Sequence, residues 1–403
     1  MTPQAALVEA NRCLYCYDAP CAAACPTHID VPRFIKKIAS GNRMGSARAI
    51  VEANVLGLSC SRVCPVQVLC EGACVMHNRG EAPIAIGDLQ QHAMEHFYEH
   101  GGALPQAVVP LNKSVACIGS GPASLACAAE LRAHGAAVTI FDKRPLPGGL
   151  NTYGVARYKL TAAESQREVD LIRNTGVEFR NGVEIGRDIS VPALERSFDA
   201  IFLGVGLGAT QRLEIPGETL PGVTNALDFI AAFKTGQPLP IGDDVVVIGG
   251  GNTAMDAAIA ARHLGAARVT LLYRRTEADM SAFQFEYEHA RREGVRFIGN
   301  ARPIAFTGTR QVDTVQCHGG FEISCDTVII AIGQLRLLEL LQSTAGIELL
   351  GGLVTIDAET GQTTNPKYFA AGDCVNGGRE VVDAAAGGKR AAQGIVNWLK
   401  RHA

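Results

Sequence analysis

Aromatic residues are scarce in this 403-residue chain, at 6% with a single tryptophan, and charged residues reach only 19%. The formal net charge is −3, and no basic patch is dense enough to suggest nucleic acid or an anionic membrane as a partner. No run of about 18 apolar residues is free of glycine turns or polar breaks, so no transmembrane helix is expected. Met1–Asn11 lacks the charged-then-apolar order of a secretory signal, which points to the cytoplasm. Low-complexity stretches are missing too, and 47% hydrophobic residues suffice to bury a large core. At about 150 residues per domain, the length predicts two or three domains. No Ser-His-Asp triad and no paired carboxylates are legible.

Two residue types are abundant. The 44 glycines suit several tight backbone turns. The 13 cysteines are crowded, with eight between Cys13 and Cys74. In a large chain without a signal peptide, that crowding points to metal rather than to disulfides. The first run is Cys13-x2-Cys16-x4-Cys21-x3-Cys25-Pro26; the second is Cys60-x3-Cys64-Pro65-x5-Cys70-x3-Cys74. Iron–sulfur clusters take soft thiolates from short turning loops, and ferredoxin-type runs end in Cys-Pro with the last cysteine ligating the other cluster. Two [4Fe–4S] clusters with crossed ligation are therefore expected. Structural zinc prefers paired Cys-x2-Cys units, of which there is one, and disulfides are the third alternative. His28 and His77 read as surface residues. Apolar spacing predicts helices over Val31–Ile38, Ala47–Leu56 and Gly87–Phe97. So small a helical region needs its metal centres to hold it together.

From Lys113 the pattern changes. A strand at Ser114–Ile118, a helix at Pro122–His134 and a strand at Ala137–Asp142 form a β-α-β unit. The grammar returns at Asp244, with strand Val245–Ile248, helix Thr253–Leu264 and strand Arg268–Tyr273. Further strands are expected at Ala200–Val205 and Tyr368–Ala371, and a last helix from Val382. Linkers are read at Leu104–Lys113 and Thr235–Gly242. In the first unit Gly119-Ser120-Gly121-Pro122-Ala123-Ser124 joins strand to helix. Its glycines permit the tight turn and the approach of a pyrophosphate, which the helix N-terminus stabilises. Asp142 stands where an acid bonds ribose hydroxyls, followed by Lys143, and Gly148-Gly149-Leu150 offers a second close approach. The second unit carries Gly249-Gly250-Gly251-Asn252-Thr253 and Asp256, and Gly372-Asp373 comes late in the chain. Two such folds plus a late Gly-Asp read as a flavoprotein, with FAD in the first fold and a nicotinamide dinucleotide in the second. The second fold has Arg274-Arg275 where an acid is usual, which favours the 2′-phosphate of NADPH without excluding NADH.

The fold class is thus α/β: a helical double [4Fe–4S] domain over 1–110, a discontinuous FAD domain over 111–218 and 335–403, and an inserted NAD(P) domain over 219–334. The redox cysteine pairs of flavin disulfide reductases are not found. Cys117 and Cys127 read as buried and inert, Cys317 and Cys325 as members of a hairpin, and Cys374 as a packing residue. Hydride transfer between two rings needs alignment and no general acid, so no catalytic side chain is expected.

The string Arg12–Cys21, followed in order by Gly119–Ser124, Gly148–Leu150, Gly249–Asp256 and Ala371–Asp373, resembles the dihydropyrimidine dehydrogenase family over nearly the whole chain. Its bacterial small subunits are the best match, and the glutamate synthase small subunit is a sister that shares Tyr273-Arg274-Arg275. The resemblance implies that Cys13, Cys16, Cys21 and Cys74 hold one cluster. Cys25, Cys64, Cys70 and Gln90 would hold the other, with Cys60 a bystander. Spacing alone would nominate Cys60 over Gln90. It also implies that Lys159 stands near the flavin, where the mammalian enzyme has an arginine. The expected function is electron input: NAD(P)H reduces FAD, and the clusters pass electrons to an FMN-containing, pyrimidine-reducing partner in a hetero-oligomer. The alternative is a glutamate synthase small subunit or a related acceptor-linked flavoprotein.

Overall fold

The computed structural model describes residues 1–107 and 109–402, and the side chains of residues 338, 339 and 343 fall outside that description. Val108 of the first linker and the final Ala403 also lie outside the described residues. The chain forms two compact units. The first comprises 1–151, 163–207 and 336–403; the second comprises 152–162 and 208–335 and is inserted in the first.

The first unit opens with helices. Val31–Ala39 buries Val31, Phe34, Ile35 and Ile38 on one face, and the Asp30 carboxylate caps it by accepting the Arg33 N–H at 3.0 Å. The helix expected over Ala47–Leu56 is two helices, Arg43–Ala53 and Gly57–Val63. The break falls at Asn54, whose extended backbone ends the first helix and whose side-chain oxygen accepts the Leu56 N–H at 3.0 Å. Ile86–Glu99 then lays Leu89, Ala93 and Phe97 into the core.

The parallel sheet of this unit runs Tyr368–Ala370, Ala200–Leu203, Ser114–Ile118, Ala137–Asp142, Glu178–Asn181. The strand order reverses on either side of Ser114–Ile118, which places the ligand crevice at its carboxyl end, where Gly119 begins. Phe34, Ile50, Leu58 and Phe97 from the helical segment share one buried core with Val115, Leu125, Ile140 and Phe202. The helical segment is therefore fused to the first sheet rather than strung from it. The long last helix, Val381–Arg401, lies against Pro122–Ala133 so closely that a Cβ on Gly388 would stand 2.1 Å from the Ala123 carbonyl oxygen. Among the described residues no helix is long and apolar enough to cross a membrane.

The second unit repeats the plan. Its parallel sheet runs Val223–Asn225, Thr327–Ile330, Asp244–Ile248, Arg268–Leu272, Arg296–Ile298. An antiparallel meander, Pro303–Thr307, Thr314–Cys317 and Glu322–Ser324, replaces the last crossover helix, with Cys317 and Cys325 at the ends of its hairpin. Helix Ala226–Thr235 stops at Gly236, whose φ of 71° suits a left-handed cap.

Candidate functional site: thiol clusters and two dinucleotide cradles

All thirteen cysteines are free. The Cys13 thiol lies beside Cys16 and Cys74, and that of Cys21 beside Cys13 and Cys74. The Cys64 thiol lies beside Cys60, Cys25 and Cys70. The fold thus brings Cys74 of the second run to the first run, and Cys25 of the first run to the second. Burial pushes Cys21 up to about 11 and Cys70 up to about 12, with neighbouring acidic groups adding to the rise. Such crowded, half-buried sulfurs suit a cationic cluster. Among the described residues no three His, Cys, Asp or Glu side chains converge on a single ion. A four-iron cluster takes one protein ligand at each iron and spreads its thiolates wider than the tight tetrahedron of structural zinc. Gln90 is buried on Ile86–Glu99 and its amide N–H donates to the Gly57 carbonyl at 2.7 Å. Among the described residues nothing donates to its amide oxygen, the atom that would ligate. His28 and His77 are exposed.

In the flavin fold the turn after Ser114–Ile118 is locked from within. Gly119 has φ +87°, and a Cβ there would meet the Gly204 carbonyl oxygen at 2.5 Å. The Ser120 N–H donates to Asp142 Oδ2 at 2.7 Å, its hydroxyl bonds the same oxygen, and the Arg144 N–H donates to Oδ1 at 2.8 Å. A carboxylate has about four acceptor sites, so Asp142 retains capacity for a ribose hydroxyl. The Gly148 N–H donates to the Ser120 carbonyl at 3.1 Å, and a Cβ on Gly149 would stand 2.6 Å from Gly121 Cα. Leu150 follows, half-buried. Ser124 is buried with its hydroxyl against Gly204. A Cβ on Gly121, by contrast, meets nothing within 4 Å, and no side chain caps the helix Pro122–Ala133 that begins there. Open space in front of uncapped N–H groups fits a pyrophosphate. Gly372, with φ +78°, sets Asp373 at the head of a short turn against Ala123. Lys143 is exposed and pairs with Glu184 at 3.6 Å.

The nicotinamide fold is built alike. A Cβ on Gly249 would meet the Ala331 carbonyl oxygen at 2.3 Å, and one on Gly250 the Tyr273 ring at 2.6 Å. Gly251 opens onto the uncapped helix Asn252–His263. Asn252 Oδ1 accepts the Phe283 N–H at 2.9 Å, and Thr253 is exposed. Arg274 and Arg275 are exposed at the end of Arg268–Leu272, and neither forms an ion pair among the described residues.

Asp256 and Lys159 are each other's partners. Lys159 Nζ lies 2.7 Å from Asp256 Oδ1 and 2.6 Å from Glu286 Oε1, and the Tyr158 hydroxyl donates to Asp256 at 3.1 Å. Burial pulls the Lys159 ammonium down, but Asp256 and Glu286 together raise it above its ordinary value. Lys159 and Asp256, both expected to serve the cofactors, thus stand in one ion-pair cluster of the second unit.

Sequence reasoning missed Glu286, on the helix Gln284–Arg292, and Glu168. The latter is 1% exposed and has no cationic partner among the described residues. Its carboxylate accepts the Leu58 and Ser59 N–H groups, each at 2.9 Å, and the Ser59 hydroxyl. The one available signal was its place among Ser165, Val169 and Ile172 on the buried stripe of Ala162–Arg173. Burial raises Glu168 from 4.5 to about 7, against the lowering effect of its hydrogen bonds. The folded state therefore holds a proton that the unfolded chain releases near 4.5, and stability falls as pH rises between these values. Above pH 7 the ionised carboxylate costs roughly 3 kcal/mol. Glu168→Gln should flatten that slope, so urea unfolding at pH 8 should show the variant gaining 1–3 kcal/mol on the native chain, with about no gain at pH 4.

Residues 1–102 match the family described as dihydropyrimidine dehydrogenase domain II, 4Fe-4S cluster, and residues 113–388 match the pyridine nucleotide-disulphide oxidoreductase family. The glutamate synthase [NADPH] small chain of Halomonas elongata is 37% identical over 432 aligned positions, covering 98% of this chain and 91% of its own. The NAD-dependent dihydropyrimidine dehydrogenase subunit PreT of Escherichia coli K12 is 34% identical over 397 positions, covering 98% of this chain and 94% of its own. Among solved structures, thioredoxin reductase of T. acidophilum superposes with a TM-score of 0.60 at 20% identity, over 72% of this chain and all of that one, a likeness of fold. Thiol runs, cradles and relatives agree: the chain belongs to the pyridine nucleotide-disulphide oxidoreductase family and is an NAD(P)H-dependent iron–sulfur flavoprotein akin to the small subunits of glutamate synthase and dihydropyrimidine dehydrogenase.

Proposed function

We propose that this protein is the electron-input subunit of a dihydropyrimidine dehydrogenase, drawing on NAD(P)H to reduce uracil or thymine on an FMN-containing partner in the cytoplasm. The observation that carries the reading is chain architecture. For the same 98% of this chain, the alignment with the E. coli pyrimidine subunit spans 397 positions, whereas that with the Halomonas glutamate synthase chain spans 432 and so carries insertions that this chain lacks. The buried Gln90 with its free amide oxygen supports the same branch. The higher identity to the Halomonas glutamate synthase chain, 37% against 34%, favours the second reading, in which the acceptor is a glutamate synthase large chain.

FAD held in this fold would supply the conversion of a two-electron hydride into single electrons, the chemistry that joins a flavin to clusters. The chain's own residues set the rest. Gly119, Gly121 and Gly149 shape the flavin turn, Ser120 fixes Asp142 for the ribose, and Gly372-Asp373 lies against Ala123 of the same helix. Gly249 and Gly251 shape the nicotinamide turn. Ser59 accepts a hydrogen bond from Asn151, which directly follows the Gly148–Leu150 turn, at 3.0 Å. This ties the helix leading to Cys64 to the flavin fold. In this reading Cys25, Cys64, Cys70 and Gln90 form the flavin-side centre. Cys13, Cys16, Cys21 and Cys74 form the exit centre, next to the loop where Tyr17 is 99% exposed.

Arg274 and Arg275 would bind the 2′-phosphate of NADPH. A charge-assisted hydrogen bond contributes about 1.5–3 kcal/mol, so Arg275→Glu should raise KM for NADPH some 10- to 150-fold while sparing NADH. Equal losses for both nucleotides would remove the arginine from the phosphate site.

The test is an anaerobic pull-down from the native host. Recovery of an FMN-binding partner, with NAD(P)H oxidation dependent on uracil or thymine, is the expected result. Recovery of a glutamate synthase large chain would select the second reading.

A further inference from the structure

The short helix Gly57–Val63 serves both segments read as ligands of the flavin-side centre. Cys64 ends it, with its N–H donating to the Cys60 carbonyl at 3.1 Å, and the Gln90 amide N–H donates to the Gly57 carbonyl at its start, at 2.7 Å. The same helix is gripped from the flavin fold. Ser59 is buried in its first turn; its hydroxyl donates to Glu168 Oε2 and accepts the Asn151 amide N–H at 3.0 Å. Asn151, also buried, directly follows the Gly148–Leu150 turn. The helix has no side-chain cap of its own, and Glu168 takes that place by accepting the Leu58 and Ser59 N–H groups, each at 2.9 Å. One turn earlier on Ala162–Arg173, Glu164 pairs with Arg62 at 2.6 Å. All of these residues belong to the first compact unit. A hydroxyl has one proton to give, so the chain from Asn151 through Ser59 to Glu168 runs in one direction and passes only through Ser59. Burying a carboxylate without a cation is costly, and residues that cost stability are commonly kept for function.

We propose that Ser59 and Glu168 are positioning residues for the electron step from flavin to cluster: through Asn151 they hold the flavin turn on the helix that ends in Cys64 and orients Gln90. The proposal rests on the reading of Cys64 and Gln90 as ligands of a centre beside the flavin. In the step the reduced flavin loses one electron and the cluster gains it, and no bond forms or breaks between them. The rate of such a transfer falls steeply with separation. Two sides fastened to one helix by buried hydrogen bonds keep a separation that unfastened loops would let vary.

The experiment uses the whole holoprotein at pH 8, where the Glu168 carboxylate is ionised. A reducing pulse places an electron on the bound flavin, and its passage to a cluster is followed optically; flavin content, iron content and EPR-monitored midpoint potentials are measured on each variant. Ser59→Ala should keep full flavin and iron and the native midpoints, and flavin bleaching by NADPH should keep its rate. Transfer from flavin to cluster should slow on the order of tenfold, the scale of a misplacement below 1 Å. Asn151→Leu leaves Ser59 joined to Glu168 and should slow the same step, which keeps the test available if the alanine variant at 59 does not assemble. Native transfer rates in both variants overturn the proposal and leave the ligand reading standing. Slow transfer with a displaced midpoint overturns it too, because lost driving force then accounts for the rate. Loss of flavin or iron in both variants makes the network a scaffold for assembly and likewise overturns it. Full iron in Cys64→Ala, or no transfer from flavin to cluster in the native protein, would instead overturn the reading beneath it.

Discussion

Gly121→Val should give a folded protein that carries no flavin. The expectation rests on a contrast within one turn. Valine at Gly119 would need a left-handed backbone and would collide with the Gly204 carbonyl, and a side chain at Gly149 would strike Gly121. Those variants would damage the fold as well as the site. Gly121 has an extended backbone with φ −71°, and a Cβ there meets no protein atom within 4 Å. Its missing side chain is explained by a ligand rather than by the protein. A branched side chain should fill the space in front of the Pro122–Ala133 helix, where the pyrophosphate would meet uncapped N–H groups. Circular dichroism should be native and the purified protein colourless above the iron–sulfur absorption. Retained FAD at full stoichiometry would move the flavin elsewhere.

The second large effect is on stability. Lys159→Met should destabilise the inserted unit by about 3–5 kcal/mol, the usual cost of leaving buried charges without their partner. Here two carboxylates, Asp256 and Glu286, would lose the one ammonium between them. Chemical unfolding at pH 7 measures the loss. Lys159→Arg should be milder, since the positive charge is kept although the point-like ammonium geometry is not. A Lys159→Met protein as stable as the native one would show that the cluster contributes nothing to the unit.

The two β-α-β units were legible because the first strand of each is a short apolar run ended by glycine. The strands at Ser114–Ile118 and Ala137–Asp142 lie where the pattern places them. The helical region was less legible. The periodicity of Ala47–Leu56 continues through a break that Asn54 makes with one side-chain hydrogen bond. Spacing also leaves undecided which thiols meet, because the crossing of Cys25 and Cys74 is made by tertiary packing. The fingerprints gave the glycines at both cradles. They gave no hint that Lys159 is closed off by a carboxylate 127 residues away, nor that Glu168 holds the segment carrying Ser59. Such long-range partners leave no local period to read. The meander in the second unit was only half visible, as the hairpin at Cys317 and Cys325.

The central claim is that nicotinamide, flavin and clusters form one electron path within this chain. It is tested most directly by adding NADPH, and separately NADH, to the purified holoprotein under argon, and following flavin absorbance and low-temperature EPR together. The account predicts that the flavin bleaches and that an iron–sulfur signal then grows at the expense of added nucleotide, with no other protein present. Flavin that stays oxidised, or bleached flavin with clusters that remain oxidised even with excess nucleotide, would contradict it.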